Sequence, residues 1–254
     1  ITRAADASVT AAPRDALRDA LAKLRALGEN GLHSADAVAL LFELSAAAAQ
    51  SPEAAADLQR AILSGELGSV AAAAIGALAD AARSSDSAAT LLAELLTDAR
   101  SDPALRQTVL MSAHELGPRS TALVDAVCSL SDDAGRSDLG DLALLTAGSM
   151  AAEVEDEAAR ARLRAAVDNA ERRGASAEVV LAALENEGDP SRIAAAAERY
   201  VGHPDPAVRK ALAELLGDVD VPKARRALER LADAPEPEVR TAARLALDRQ
   251  SEKR

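Results

Sequence analysis

The chain has 254 residues, a formal net charge of −12, 49% hydrophobic and 28% charged residues, with one Phe, one Tyr and no Trp. Such a core has to be assembled from Ala, Leu, Val and Ile, a mixture that favours helices over strands. The first 127 residues carry 10 basic and 16 acidic side chains and the rest carry 19 and 25, so each half stands at −6. A nucleic-acid binder needs a positive stripe, or aromatic platforms for single strands, and an anionic membrane needs cations. The sequence provides neither. Cys128 is the one cysteine, which excludes an intrachain disulfide and fits a reducing compartment. A cytoplasmic location is favoured, with secretion the alternative if Ile1 is a processed end.

Prolines and glycines punctuate the chain. All ten prolines suit helix starts or loops, among them Pro52, Pro103, Pro118, Pro190, Pro206, Pro222 and Pro237. Gly28, Gly65, Gly117, Gly174, Gly188, Gly202 and Gly217 suit helix ends. After a flexible segment over 1–12, the marks enclose helices over 13–27, 34–49, 52–64, 66–83, 86–99, 103–116, 119–131, 138–150, 152–173, 176–187, 190–201, 205–216, 222–233 and 236–250, with a tail over 251–254. The weakest join is "SDDAGRSD" (131–138), a candidate hinge. No apolar run approaches the roughly 20 residues needed to cross a bilayer.

Towards the C-terminus the chain repeats itself. "DPAVRKALAELLG" (205–217) returns as "EPEVRTAARLALD" (236–248), and "DPALR" (102–106) is an earlier echo. Val208, Ala211, Leu212, Leu215 and Leu216 form one helical stripe, and Val239, Ala242, Ala243, Ala246 and Leu247 repeat it. The register between the valines is 31 residues, one helix–turn–helix pair. A single pair cannot bury its own stripe, whereas stacked pairs bury each stripe against the next. Asp205 and Glu236 are capping acids. Arg209 and Arg240 follow them at i, i+4, placed to pair either locally or with the neighbouring repeat.

The segment "HPDPAVRKALAELLGDVDVPKARRALERLADAPEPEVRTAARLAL" (203–247) resembles HEAT-type repeats of the short form with a D/E-P-x-V-R signature. The resemblance is clearest over 189–250 and looser before that. It implies an all-α fold: a right-handed α-α superhelix, a HEAT-like solenoid of about seven antiparallel helix pairs over 13–250. It also implies that the helices over 205–216 and 236–250 line the concave face. Proteins of that kind are usually scaffolds or adaptors for a protein partner, without catalysis or cofactor. Lys210, Glu214, Thr241 and Arg244, outward positions of these helices, are then the candidate partner-binding residues.

A second likeness is to the helical domain of vitellogenin-type lipid transfer proteins. "LALLTAGSM" (142–150) precedes "VVLAALENEGDPSRI" (179–193), where Ala183, Leu184, Asn186, Gly188 and Pro190 match an A-L-x-N-x-G-x-P pattern. Those proteins follow the helices with lipid-holding sheets, which this sequence lacks. That likeness makes a lipid carrier the alternative function, and it implies apolar residues on the concave face. A lyase-associated or chaperone-like protein is the other alternative, whose signature would be a pocket pairing an acid with a thiol or histidine.

The residues that could carry chemistry have simpler readings. His33, His114 and His203 are far apart, and none lies at i, i+4 from another or from Cys128. Zinc needs about four well-placed ligands. His203 with Asp205 supplies two at most, and a loop histidine before a capped helix is the simpler reading. Cys128 sits among apolar neighbours with no visible base, as a packed thiol would. Glu153, Glu155, Asp156 and Glu157 suit a helix N-terminus. Asp132, Asp133, Asp138 and Asp141 lack the spacing of a calcium loop. The basic clusters over 160–164, 171–173 and 223–226 alternate with acids and read as solvated helix faces.

Overall fold

The computed structural model of the chain describes residues 2–114, 116 and 120–252. Among them are fourteen α-helices and no strand. They run α1 Thr2–Leu27, α2 Ala35–Gln50, α3 Pro52–Leu63, α4 Ala71–Ala82, α5 Asp86–Thr97, α6 Pro103–Ala113 and α7 Thr121–Ser131. The second half runs α8 Asp138–Glu153, α9 Glu157–Arg173, α10 Ala177–Glu187, α11 Pro190–Tyr200, α12 Pro206–Leu216, α13 Pro222–Leu231 and α14 Pro237–Glu252. The expected marks at Gly117 and Pro118 and the end at Ile1 lie outside the described residues.

Most helix starts follow one chemistry. The hydroxyls of Ser34, Ser51, Ser85, Ser137 and Ser176 each accept a backbone N–H of the first turn. The carboxylates of Asp102, Asp156, Asp189 and Asp205 do the same. Each satisfies a donor that has no partner inside its helix.

Three boundaries differ from the sequence expectation. The first helix begins at Thr2 instead of residue 13 and carries Pro13 inside it. The helix expected from 66 starts only at Ala71, because Gly68 takes φ +50 and a short 3-10 turn over Gly68–Val70 precedes it. The acids at 153–157 straddle a break. Glu153 closes α8 and Asp156 is extended, its carboxylate accepting from Ala159 N at 2.7 Å to start α9.

The helices pair in antiparallel fashion along the chain, α1 with α2 and so on to α13 with α14, as an α-solenoid of seven pairs. The even-numbered helices form one unbroken row, each packed on the next from α2 to α14. The odd-numbered helices form the second row, continuous from α1 to α9 and again from α11 to α13. The expected stripes face inward: Val208, Leu212, Leu216, Val239, Ala243, Ala246 and Leu228 are all buried. Alanines fill much of the space between the rows, and Tyr200 is the largest fully buried side chain.

Helices lined with small residues approach closely. A Cβ placed on Gly148 of α8 would come within 2.1 Å of the Ala183 carbonyl oxygen on α10, so only glycine fits that crossing. Two of the segments that carry the lipid-transfer likeness therefore meet there. Asn186 Nδ2 adds a hydrogen bond across them to Leu145 O at 3.3 Å. The join at 131–138 is tied down: Ala134 is fully buried, and Gly135 N donates to Asp141 Oδ1 at 2.6 Å.

Two glycine substitutions separate helix propensity from packing. Gly76 of α4 has no atom within 4 Å of an added Cβ, so Gly76→Ala is expected to stabilise the chain by about 0.5–1 kcal/mol. Gly148→Ala gains the same propensity but collides with backbone, and should destabilise by about 1–3 kcal/mol. Urea unfolding followed by far-UV circular dichroism measures both. Equal effects at the two positions would refute the close α8–α10 crossing.

Candidate protein-binding surface

The repeated words at 205 and 236 build α12 and α14, which pack side by side in the even row. Asp205 accepts from Ala207 N at 2.9 Å, Pro206 occupies the first turn, and Val208 is the first buried residue. Arg209 comes next, and its side chain is only 12% exposed. Its Nη1 donates to His203 O and Pro204 O, the carbonyls of the loop that enters its own helix. Its Nη2 lies 2.6 Å from Glu236 Oε2, in the capping position of the next repeat. Of the two partners open from the sequence, the neighbouring repeat is the one Arg209 takes. Arg240 repeats the gesture, Nη1 donating to Ala234 O at 2.9 Å and Pro235 O at 2.6 Å.

The same device appears earlier in the chain. Arg106 of "DPALR" donates to Asp98 O at 2.9 Å, and Arg160 of α9 donates to Val154 O. An arginine in the second turn folds back and satisfies the carbonyls of the incoming loop. The arginine of the motif is thus part of the joint and is spent on structure. Beside Arg209, the Glu236 carboxyl is held below its ordinary pKa, chiefly by that guanidinium.

The four candidate partner residues take no part in that joint. Lys210, Glu214, Thr241 and Arg244 are all exposed, on two adjacent helices of one row. Lys210 Nζ and Glu214 Oε1 stand 3.5 Å apart, a surface pair one helical turn long. Thr241 Oγ1 donates to Pro237 O at 2.8 Å within its own helix. Arg244 makes no ion pair among the described residues. The outward face here is polar and charged, with Leu245 exposed beside Arg244.

The other candidates separate. His33 is exposed before α2, His114 ends α6, and His203 accepts a hydrogen bond from Asp205 N at its Nδ1, 3.2 Å away. Among the described residues no three His, Cys, Asp or Glu groups converge as metal ligands would. Cys128 lies partly buried on α7, and burial, with Asp132 nearby, pushes its thiol up to about 11. It has neither the base nor the positive setting of a nucleophile.

One cluster is not the solvated face that the sequence suggests. Arg164 of the 160–164 run reaches Glu187, whose side chain is 1% exposed. Its Nε lies 2.6 Å from Glu187 Oε1 but off the hydrogen-bond axis, a charge contact instead of a directed bond. Its Nη2 donates to Asp189 Oδ2 at 2.8 Å. From α11, Arg192 Nε donates to Glu187 Oε2 at 2.8 Å, while its two Nη atoms bond Asp168 at 3.0 and 3.1 Å. This chain of charges links α9 to α11, where the odd row is least tightly packed. A signal existed in the sequence: Glu187 is an acid in the last turn of a helix, against the dipole. A buried group of this kind needs a cation.

Compared with known protein families, residues 177–248 match the model for HEAT repeats. No curated protein matches the chain.

Two measurements check these assignments. Glu236 has a folded pKa below its unfolded value, so its contribution to stability is present above the ordinary glutamate range and is lost as pH falls through the folded value. Glu236→Gln should therefore lower Tm at pH 7, and the gap to the parent chain should close towards pH 3. A gap that persists at pH 3 would show that the Arg209 contact is not the cause. The Cys128 thiol, moved from 9.0 to about 11, should react with a disulfide reagent at pH 8 at least about tenfold more slowly in the native chain than in urea, the lower thiolate fraction outweighing the higher nucleophilicity of the thiolate.

Proposed function

We propose, for a chain of the HEAT-like repeat family, that it is a non-enzymatic scaffold that holds a protein partner along its even-numbered row of helices. The observation that carries this reading is the division of labour on α12 and α14. The valine and arginine of each motif are consumed by the core and the joint, while Lys210, Glu214, Thr241 and Arg244 stay exposed and are not needed by the fold. These side chains lie on adjacent helices of one row, and a long ordered row suits an extended partner. Affinity would come from a few anchors, of which Arg244 is the one with no ion pair of its own among the described residues.

The carrier alternative asks for a continuous apolar lining. Large exposed hydrophobes among the described residues are Val38, Phe42, Met111 and Leu245, which lie on α2, α6 and α14, with none on α8, α10 or α12 between them. That distribution favours separate contact points over a lipid-holding trough. The lyase-associated alternative asks for a pocket pairing an acid with a thiol or histidine, and the raised pKa of Cys128 argues against its thiol form. Among the described residues no helix is long and apolar enough to cross a membrane.

The test is native mass spectrometry on the chain captured gently from an extract of its own source. A second polypeptide should travel with it, and Lys210→Ala combined with Arg244→Ala should release that polypeptide. Both positions are exposed, so Tm should barely move. A complex that survives the double substitution refutes this face, and extra mass in the lipid or pigment range instead supports a carrier.

A further inference from the structure

The stack sorts charge between its two rows. In the second half of the chain, α9, α11 and α13 of the odd row carry 11 basic and 5 acidic side chains. Their even-row neighbours α8, α10 and α12 carry 2 and 7. The sequence hides this separation, because the rows alternate along the chain and each half sums to −6. Most of the odd-row cations are already paired. Arg164 and Arg192 belong to the ladder on Glu187, Arg199 reaches Glu171 at 3.3 Å, and Arg225 reaches Glu229 at 3.3 Å.

Arg226 and Arg230 of α13 are the exception. Both are exposed, and neither side chain makes an ion pair or a hydrogen bond among the described residues. They stand one turn apart on the wall of a groove of about 280 Å³ between α11 and α13. Its floor is apolar, formed by Ala197, Val201 and Ala227. Lys223 extends the same wall, and Glu198 of α11 is the one acid in the lining. That acid is committed. Lys223 Nζ lies 2.8 Å from its Oε1, and its carboxyl is held below the ordinary glutamate range first by Lys223 and more weakly by Arg226. Glu229 of α13 is taken by Arg225. The groove therefore sets three cations against one carboxylate, in a chain of net charge −12.

We infer that the α11–α13 groove binds an acidic segment of a partner protein, with carboxylates on Arg226 and Arg230 and small apolar side chains on the alanine–valine floor. A guanidinium takes a carboxylate through two parallel N–H donors, and these two have no competing partner within bonding reach. Arg226 and Arg230 are about 6 Å apart along the helix axis. Carboxylates on alternate residues of an extended segment are about 7 Å apart, so one segment meets both. A nucleic acid fits less well, because it asks for many phosphate contacts or for aromatic platforms, and most cations of this row are consumed by ion pairs. An anionic membrane asks for a broader cluster of free cations. This surface lies on the other row from Lys210 and Arg244, and it stands or falls independently of them.

The test uses the full chain and two fluorescein-labelled peptides, one of alternating glutamate and valine and the other of alternating lysine and valine. The whole chain is negative, so capture of the glutamate peptide has to be local. That peptide should bind saturably by fluorescence anisotropy and more weakly as salt is added. Arg226→Gln with Arg230→Gln should weaken it about tenfold or more, with Tm nearly unchanged because both side chains are exposed and unpaired. Arg230→Glu alone should weaken it further than Arg230→Gln alone. Lys210→Ala with Arg244→Ala removes the same amount of charge from the other row and should leave the affinity unchanged. No saturable binding of the glutamate peptide, equal or tighter binding of the lysine peptide, or an undiminished affinity in the arginine variants would overturn the inference. So would an equal loss in the Lys210 and Arg244 variant, which would make the effect one of net charge. Tighter binding of a labelled oligothymidylate or of phosphatidylserine vesicles at the same salt would replace the protein segment by a nucleic acid or a membrane.

Discussion

The stack depends on the close contact of small side chains between consecutive helix pairs. A helix lined with alanine buries little area per residue, so no single contact dominates and no pair stands without its neighbours. The shortage of aromatic residues follows from the same constraint. A large ring would push the rows apart, whereas alanine and glycine let backbones meet, as Gly148 and Ala183 do. Leucines such as Leu44, Leu92, Leu110, Leu212 and Leu228 then supply the volume that alanine cannot. Stability in such an array is a sum of nearest-neighbour terms, and its weak points are the joints.

Each joint has a polar device that fixes one repeat on the next. Arg209 spans its own entry loop and the capping acid of the following pair. Gln250, fully buried, donates to Leu216 O and Val219 O and so closes the end of α12 from α14. Gln59 joins α3 to α5 through Leu91 O and Glu94. Where α9 and α11 pack least tightly, the ladder Asp189–Arg164–Glu187–Arg192–Asp168 ties them together. Burying Glu187 is costly in itself, and two guanidiniums offset that cost only in one arrangement. Such groups stabilise less than an apolar filling would, but they define the register between repeats.

What could be read from the sequence follows from which forces are local. Helix starts were legible because a serine or aspartate before a proline or an acid acts within four residues. Core stripes such as Val208–Leu212–Leu216 were legible because burial repeats with the helix period. The acids at 153–157 were misleading: a carboxylate at a helix start can be a cap, as Asp156 is, or can end the preceding helix, as Glu153 does. Arg164 was read as solvated because its partner Glu187 is 23 residues away and on another helix. The exposed place of Phe42 was invisible for a further reason. Exposure is a property of the assembled row, and Phe42 continues the apolar pattern of α2 as well as a core residue would.

The even row thus carries two chemically different ends on one continuous frame. Near α2 it leaves the apolar Val38 and Phe42 exposed; near α14 it offers lysine, arginine and glutamate together. Neither set is required by the fold, since the inward faces are occupied by the core and the motif arginines by the joints. A frame built from short-range contacts holds its two ends at a separation fixed by the number of repeats between them. For an extended partner engaged at both ends, that spacing acts like a short rigid linker: binding at one end raises the effective concentration at the other. Adding or removing a pair would change the separation while leaving each local surface intact.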